Sequence, residues 1–227
     1  MQNLYGLLKQ NALFESLGED LLRDLAGSAL KKTYQPDEII VHQGDDWPNL
    51  FIVESGRVEA LMISMEGRQF VITTLSAGDI FWGLSFFQEG AGNPVILQAV
   101  EPSVIYLWNR DKLLPRIFEN GQVAWVLCQN MAHRMQIASG LVEDLAFHPV
   151  MGRLSRLLLE AFSGAGDEFI TRNMTLDDMA ARIGTTRAIV CRYLYKLAEK
   201  GAVEIRRTEL KITDREFLEQ QTGKGGG

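Results

Sequence analysis

Apolar residues change their spacing three times along this chain. Up to about Ala29 they recur at helical intervals. Leu13, Leu17, Leu21, Leu22 and Leu25 predict short helices, with Ser16 placed to cap one. From Tyr34 to Leu107 the spacing shortens to brief β runs cut by turn residues. Ile39–His42 precedes Gln43-Gly44-Asp45, Leu50–Val53 precedes Glu54-Ser55-Gly56, and Val58–Ile63 precedes Glu66-Gly67. Phe70–Leu75, Ala77-Gly78-Asp79, Val95–Val100 and Val104–Leu107 continue the series. Strands this short and this regularly punctuated predict a sandwich or barrel, and no helix-length gaps separate them as parallel βαβ units require.

Residues 111–147 then predict one long helix, with no proline between Pro115 and Pro149. Ala124, Cys128, Met131, Met135, Ala138, Val142 and Leu145 follow alternating steps of four and three, an apolar seam suited to a parallel coiled-coil dimer. A helix lying along its own β domain needs a broader stripe, which Leu127, Ile137 and Leu141 can supply, so this helix is able to serve both contacts. Phe147-His148-Pro149 ends it, because proline disfavours helical geometry in the residue before it. Val150, Leu154, Leu157, Leu158 and Phe162 mark the next helix, and Ser163-Gly164-Ala165-Gly166 reads as a flexible loop. The expected division is a β-rich domain over 1–110, the long helix over 111–147, a small helical domain over 148–220 and a disordered tail over 221–227.

The 227 residues are 46% hydrophobic and 23% charged, a balance that supplies a core and argues against disorder. No apolar stretch approaches a membrane span, and the opening lacks the architecture of a secretory signal, so a cytoplasmic protein without membrane association is expected. Two cysteines, Cys128 and Cys191, make no disulfide framework. The net charge of −6 discourages a nucleic-acid partner until its distribution is examined. Residues 1–148 hold 10 Lys and Arg against 18 Asp and Glu, whereas residues 172–211 hold 9 against 5. An acidic body with a basic end suits local binding to phosphate.

That basic end carries a motif. Thr175 can cap a helix whose first turn holds Asp177 and Asp178, with Met179, Ala180 and Ile183 facing inward and Gly184 ending it. Thr185-Thr186 caps a second helix, in which Ile189, Val190, Leu194 and Leu197 are apolar at helical spacing, and Gly201 ends it. Two short helices joined by a glycine-containing turn are the helix-turn-helix pattern. Arg187, Arg192, Tyr195 and Lys196 point outward from the second helix. Ala202–Arg206 and Glu209–Ile212 then bracket a turn as a β wing carrying Arg206, Arg207 and Lys211. Double-stranded DNA is the partner these cations suit, because a planar guanidinium can grip two acceptors at once on a guanine edge or hold a phosphate.

These features together resemble the cyclic-AMP receptor protein/FNR family of bacterial transcription regulators. The resemblance runs through Gly44-Asp45, Ser55-Gly56, Ala77-Gly78-Asp79, Met131 to Gln136, Leu145-Ala146-Phe147, Gly152-Arg153-Leu154 and Thr186 to Arg192. It implies an α+β fold: a cupin-like, cyclic-nucleotide-binding-like β-roll, a long dimerisation helix and a C-terminal winged helix-turn-helix. It also implies a sequence-specific homodimer on a pseudo-palindromic operator, with RNA polymerase as a further partner. By the same resemblance Thr186 and Arg187 hold DNA phosphates and Arg192 reads a guanine. Ala188 stands in place of a base-contacting glutamate, so that readout is lost.

The resemblance weakens most at the effector pocket. In the run Phe81, Trp82, Gly83, Leu84 and Ser85, Gly83 stands where the family's glutamate accepts a ribose hydroxyl. Asn93 and Pro94 replace an arginine and a serine that hold the cyclic phosphate, and Ala138 replaces a threonine that reads the base, while Ser139 is kept. Cyclic AMP is therefore not expected, since an anion without its arginine is desolvated uncompensated. Three alternatives stay open. The pocket takes an apolar or aromatic small-molecule effector anchored by Arg134 or Ser139, or haem is ligated by His42, His133 or Cys128. Otherwise its own side chains, Phe86 and Phe87 among them, fill it and activity follows expression. An iron–sulfur cluster is excluded on the family's pattern because residues 1–127 contain no cysteine. Redox roles for Cys128 and Cys191 also remain open. No metal-ligand cluster, phosphate-binding loop or nucleophile motif points to an enzyme.

Overall fold

The computed structural model describes residues 2–15, 17–163, 168–172 and 174–222. The expected cap at Ser16, the loop residues Gly164 to Gly166 and the tail from Gly223 lie outside them. Two compact units form, residues 1–62 with 71–137 and residues 63–70 with 138–227.

In the first unit, helices α1 (Gln2–Gln10) and α2 (Glu19–Ser28) precede β1 (Leu30–Tyr34), β2 (Ile39–Val41), β3 (Asn49–Ser55), β4 (Val58–Ile63), β5 (Gln69–Leu75), β6 (Ile80–Trp82), β7 (Ile96–Ala99) and β8 (Ser103–Asn109). They build two antiparallel sheets in the orders β1-β8-β3-β6 and β2-β7-β4-β5. The strands alternate as pleating demands. Leu50 and Ile52 of β3 join α1 and α2 in one core, while Phe51 and Val53 join Val58, Ala60 and Leu97 between the sheets. The first sheet is thus covered on both faces, which is why β3 reads as an unbroken apolar run. Burying a side chain such as Phe51 stabilises by roughly 1.5–3 kcal/mol. Trp108, fully buried, donates its indole N–H to the Leu25 carbonyl at 2.9 Å and so ties β8 to the end of α2. Gly56 has φ +84°, and a Cβ there would lie 2.4 Å from the Pro102 carbonyl oxygen, so the β3–β4 turn admits only glycine.

The expected single helix over 111–147 is two. Helix α3 (Arg110–Glu119) stops at Asn120, whose backbone is extended (φ −128°, ψ 97°), and α4 (Gly121–Phe147) follows. The Asn120 Oδ1 accepts from the N–H groups of Gln122 at 3.0 Å and Val123 at 3.3 Å, satisfying donors that a new helix start leaves free. Strand β1, absent from the expectation, begins four residues before Tyr34, where Leu30-Lys31-Lys32-Thr33 is an exposed edge without the apolar alternation that would announce a strand.

The second unit contains the end of α4, then α5 (Val150–Ala161), β9 (Ile170–Thr171), α6 (Leu176–Ile183), α7 (Arg187–Glu199), β10 (Val203–Ile205), β11 (Glu209–Ile212) and α8 (Arg215–Gln221). Leu154 and Leu158 of α5, Met179 of α6, Val190 and Leu194 of α7 and Leu218 of α8 form its core. A Cβ at Gly152 would approach the Gln221 carbonyl oxygen to 2.6 Å, so glycine permits the close contact of α5 with α8. Arg153 clamps three backbone segments, donating to the carbonyls of Ile183 at 2.9 Å, His148 at 2.8 Å and Asp144 at 3.2 Å. Burial lowers its pKa, with Asp144 acting in the opposite sense. Arg156 grips the Asp144 carboxylate at 2.6 and 2.7 Å, fixing the C-terminal end of α4 to α5.

Candidate nucleic-acid interface

Local chemistry sets the two helices of the motif. The Thr175 side chain accepts from the Asp178 N–H at 3.1 Å while the Asp178 carboxylate accepts from the Thr175 N–H at 2.7 Å, a reciprocal cap on α6. Gly184 closes α6 in the left-handed region at φ 64°. The Thr185 N–H donates to the Ala180 carbonyl at 3.0 Å, and Thr186 caps α7 by accepting from the Ile189 N–H at 3.4 Å.

Helix α7 then presents two unlike faces. Val190, Leu194 and Leu197 are buried, while Arg187, Ala188, Arg192, Tyr195 and Lys196 are exposed on the other side. Arg187 pairs with Asp177 at 2.9 Å, both side chains solvated, a link weak enough to yield to a phosphate. The Arg192 and Lys196 cations flank the Tyr193 ring at 5.3 and 5.4 Å. β10 and β11 pair in antiparallel register, and β9 extends them into a three-stranded wing. Arg206 lies over the Phe169 ring at 3.5 Å and pairs with Glu209 at 3.3 Å, and Arg207 is exposed beside it. Recognition helix and wing therefore offer a row of solvated cations able to grip guanine edges and phosphates. Arg172 was not among the expected contacts. Its guanidinium Nη2 donates to the Arg207 carbonyl, and only the short strand β9 brings it there. No helical spacing advertises such a residue.

The residues expected at the effector pocket divide. Arg134 of α4 lies 4.3 Å from the Trp82 ring and 4.6 Å from the Phe81 ring, and donates to the Ile80 carbonyl. Burial lowers its pKa to about 10, with Asp79 pulling it the other way. A Cβ at Gly83 would lie 2.3 Å from the Trp47 carbonyl oxygen, and the buried Ser85 hydroxyl accepts from the Trp47 N–H at 2.9 Å. Asn93 is buried, donating from its side chain to the Val95 carbonyl at 2.6 Å, while Pro94 and Leu84 are exposed. Phe86 is buried with its ring edge-on to Phe87 at 5.0 Å. Ala138 and Ser139 are exposed on the part of α4 that belongs to the second unit, and His42, His133 and Cys128 are exposed as well.

Along α4, Ala124 and Met131 are half-buried, and Cys128, Met135, Ala138, Val142 and Leu145 stand in solvent. Trp125 and Phe147, outside the expected seam, are 64% and 79% exposed.

A nucleotide-binding type of β-roll followed by a winged helix-turn-helix defines a DNA-binding transcription regulator rather than an enzyme. The family model of the cyclic nucleotide-binding domain matches residues 31–120, and that of the Crp-like helix-turn-helix domain matches residues 152–221. The chain belongs to the CRP/FNR family of transcription regulators. It is 28% identical over 215 residues to the "Cyclic AMP receptor protein" of Thermus thermophilus, covering 94% of this chain and 97% of that one. With the "CRP-like cAMP-activated global transcriptional regulator" of Mycobacterium tuberculosis it shares 25% identity, covering 84% of this chain and 89% of that one. A crp/fnr-family transcriptional regulator from Eubacterium rectale has a similar fold, with TM-score 0.77 at 21% identity, covering 93% of this chain and 97% of that one. Among the described residues no helix is long and apolar enough to cross a membrane.

Proposed function

We propose that this chain is a sequence-specific regulator that binds a pseudo-palindromic operator as a homodimer and does so without cyclic AMP. The observation that carries the reading is the exposed guanidinium face of α7 continued by Arg206 and Arg207 on the wing. Arg192 reads one guanine in each half-site, Arg187 and Thr186 hold phosphates beside it, and Ala188 contributes at most a methyl contact to thymine. Pairing through α4 places two such faces one helical turn apart on the duplex. The solvated apolar row of Cys128, Met135, Val142 and Leu145 supports that pairing, since contiguous exposed apolar surface marks an interaction site.

The residues of the β-roll do not fit a cyclic nucleotide. Position 83 has no room for the carboxylate that would hold a ribose, because the Trp47 carbonyl fills the space a Cβ would take. Asn93 is a buried neutral amide whose NH2 group already donates to the Val95 carbonyl, and Pro94 has no N–H to offer a phosphate. Arg134 braces α4 against β6 under Phe81 and Trp82, a contact made by the chain itself and needing no ligand. This favours effector-independent DNA binding over an added small molecule or haem. Operator affinity measured with and without cyclic AMP tests the reading. Equal affinity is expected, and a tenfold gain on adding the nucleotide overturns it.

A further inference from the structure

Between α7 and the wing lies a cleft of about 340 Å³ with Leu176, Leu194 and Ile205 on its walls, and its polar rim is cationic. Arg172, Arg206 and Arg207 supply three guanidiniums there, and Cys191 and Tyr195 face it from α7. Arg206 is held by the Phe169 ring and by Glu209, and no carboxylate lines the cleft itself among the described residues. Arg172 is anchored to the turn of the wing. Its backbone N–H donates to the Thr208 carbonyl at 2.8 Å and its Nη2 to the Arg207 carbonyl. Its Nε is buried with no acceptor. A buried N–H on a cationic group is costly to leave unpaired, so the donors of Arg172 are not all met within the fold. Tyr195 borders the cleft and also stands on the exposed face of α7, one turn beyond Arg192, so the cleft opens beside the base-reading position.

We infer that this cleft holds a backbone phosphate of the bound duplex and that Arg172 is its inner donor, a DNA contact lying outside both the helix-turn-helix motif and the wing turn. The inference rests on the DNA-binding reading above. Arg172 presets the position of Arg207 through its carbonyl and adds its own charge to the same phosphate, so its effect falls alike on every duplex sequence.

The experiment measures affinity of the full-length chain for its selected operator and for a random duplex across a range of salt. Arg172→Gln and Arg172→Lys are compared with the unaltered protein, with thermal unfolding of each as a folding control. In Arg172→Gln, affinity is expected to fall about tenfold on both duplexes, and the slope of log affinity against log salt to flatten by about one phosphate's share. Arg172→Lys retains the slope because it retains the charge. Unchanged slope in a folded Arg172→Gln, beside normal binding by the unaltered chain, overturns this inference alone. Absence of salt-dependent binding by the unaltered chain brings down the DNA reading itself. A second arm follows alkylation of Cys191 by iodoacetamide, with Cys128→Ser as background. Duplex is expected to slow it in a way that Arg172→Gln diminishes. Equal protection by millimolar inorganic phosphate alone assigns the cleft to a free anion and overturns the duplex assignment.

Discussion

Arg134 and Arg192 carry the same guanidinium into opposite surroundings. Arg134 is drawn under two aromatic rings and donates to a strand carbonyl, and burial lowers its pKa to about 10. Arg192 is exposed on α7, its guanidinium 5.3 Å from the centre of the neighbouring Tyr193 ring. Removing water from the first makes it a brace between helix and strand, since the Ile80 carbonyl and the two ring faces now take the place of its hydration. Leaving water on the second keeps its donors available for an incoming acceptor. The same difference separates the two units more widely. In the β-roll the Ser85 hydroxyl and the Asn93 amide nitrogen bond to the backbone of Trp47 and Val95, whereas Arg187 in the winged helix pairs only with the solvated Asp177 carboxylate.

On this contrast, substitutions in the β-roll segment are expected to change stability and leave recognition alone, and substitutions on α7 to do the reverse. Gly83→Glu carries the largest expected effect. With a Cβ forced to 2.3 Å from the Trp47 carbonyl and a carboxylate behind it, the β-roll loses about 3 kcal/mol in thermal unfolding and gains no cyclic AMP binding. Nucleotide binding by a stable Gly83→Glu protein would dissolve the contrast. Arg192→Ala comes next: discrimination at one guanine falls by about 2 kcal/mol in competitive binding, with unfolding changed by less than about 0.5 kcal/mol.

Smaller effects sharpen the boundary between the two roles. Thr186→Ala removes the cap of α7 and is expected to cost about 1 kcal/mol of stability, read by denaturant unfolding. Arg187→Ala breaks only a solvated pair with Asp177, so stability shifts by no more than about 0.5 kcal/mol. Its operator affinity nevertheless becomes less salt-sensitive. A stability loss above that level would mean that Arg187 braces α6 against α7 instead of waiting for phosphate.

Much of this was legible in the chain because its signals are local. Gly184 and Gly201 punctuate the two helices of the motif, and both adopt positive φ. The alternation of inward and outward residues on α7 follows from helical spacing alone. The break at Asn120 was not legible: an Asn-Gly pair caps and restarts the helix there, but a long apolar periodicity on either side conceals it. Strand β6 is only three residues long, so Ile80, Phe81 and Trp82 have no room for a pattern, and the sequence places Phe81 and Trp82 in a pocket instead. Their destinations are opposite, Phe81 between the sheets and Trp82 toward the helices. The stacking of Arg134 on both rings and the approach of Trp47 to Gly83 are set by tertiary contacts 36 to 53 residues apart in sequence, which no local signal carries.

The most direct measurement is selection of bound duplexes from random DNA by the purified chain with no nucleotide added. The account predicts an enriched inverted repeat whose halves each contain a guanine lost in selection with Arg192→Ala, their centres one helical turn apart. Enrichment that appears only when cyclic AMP is supplied, or of a single half-site without its inverted copy, would contradict it.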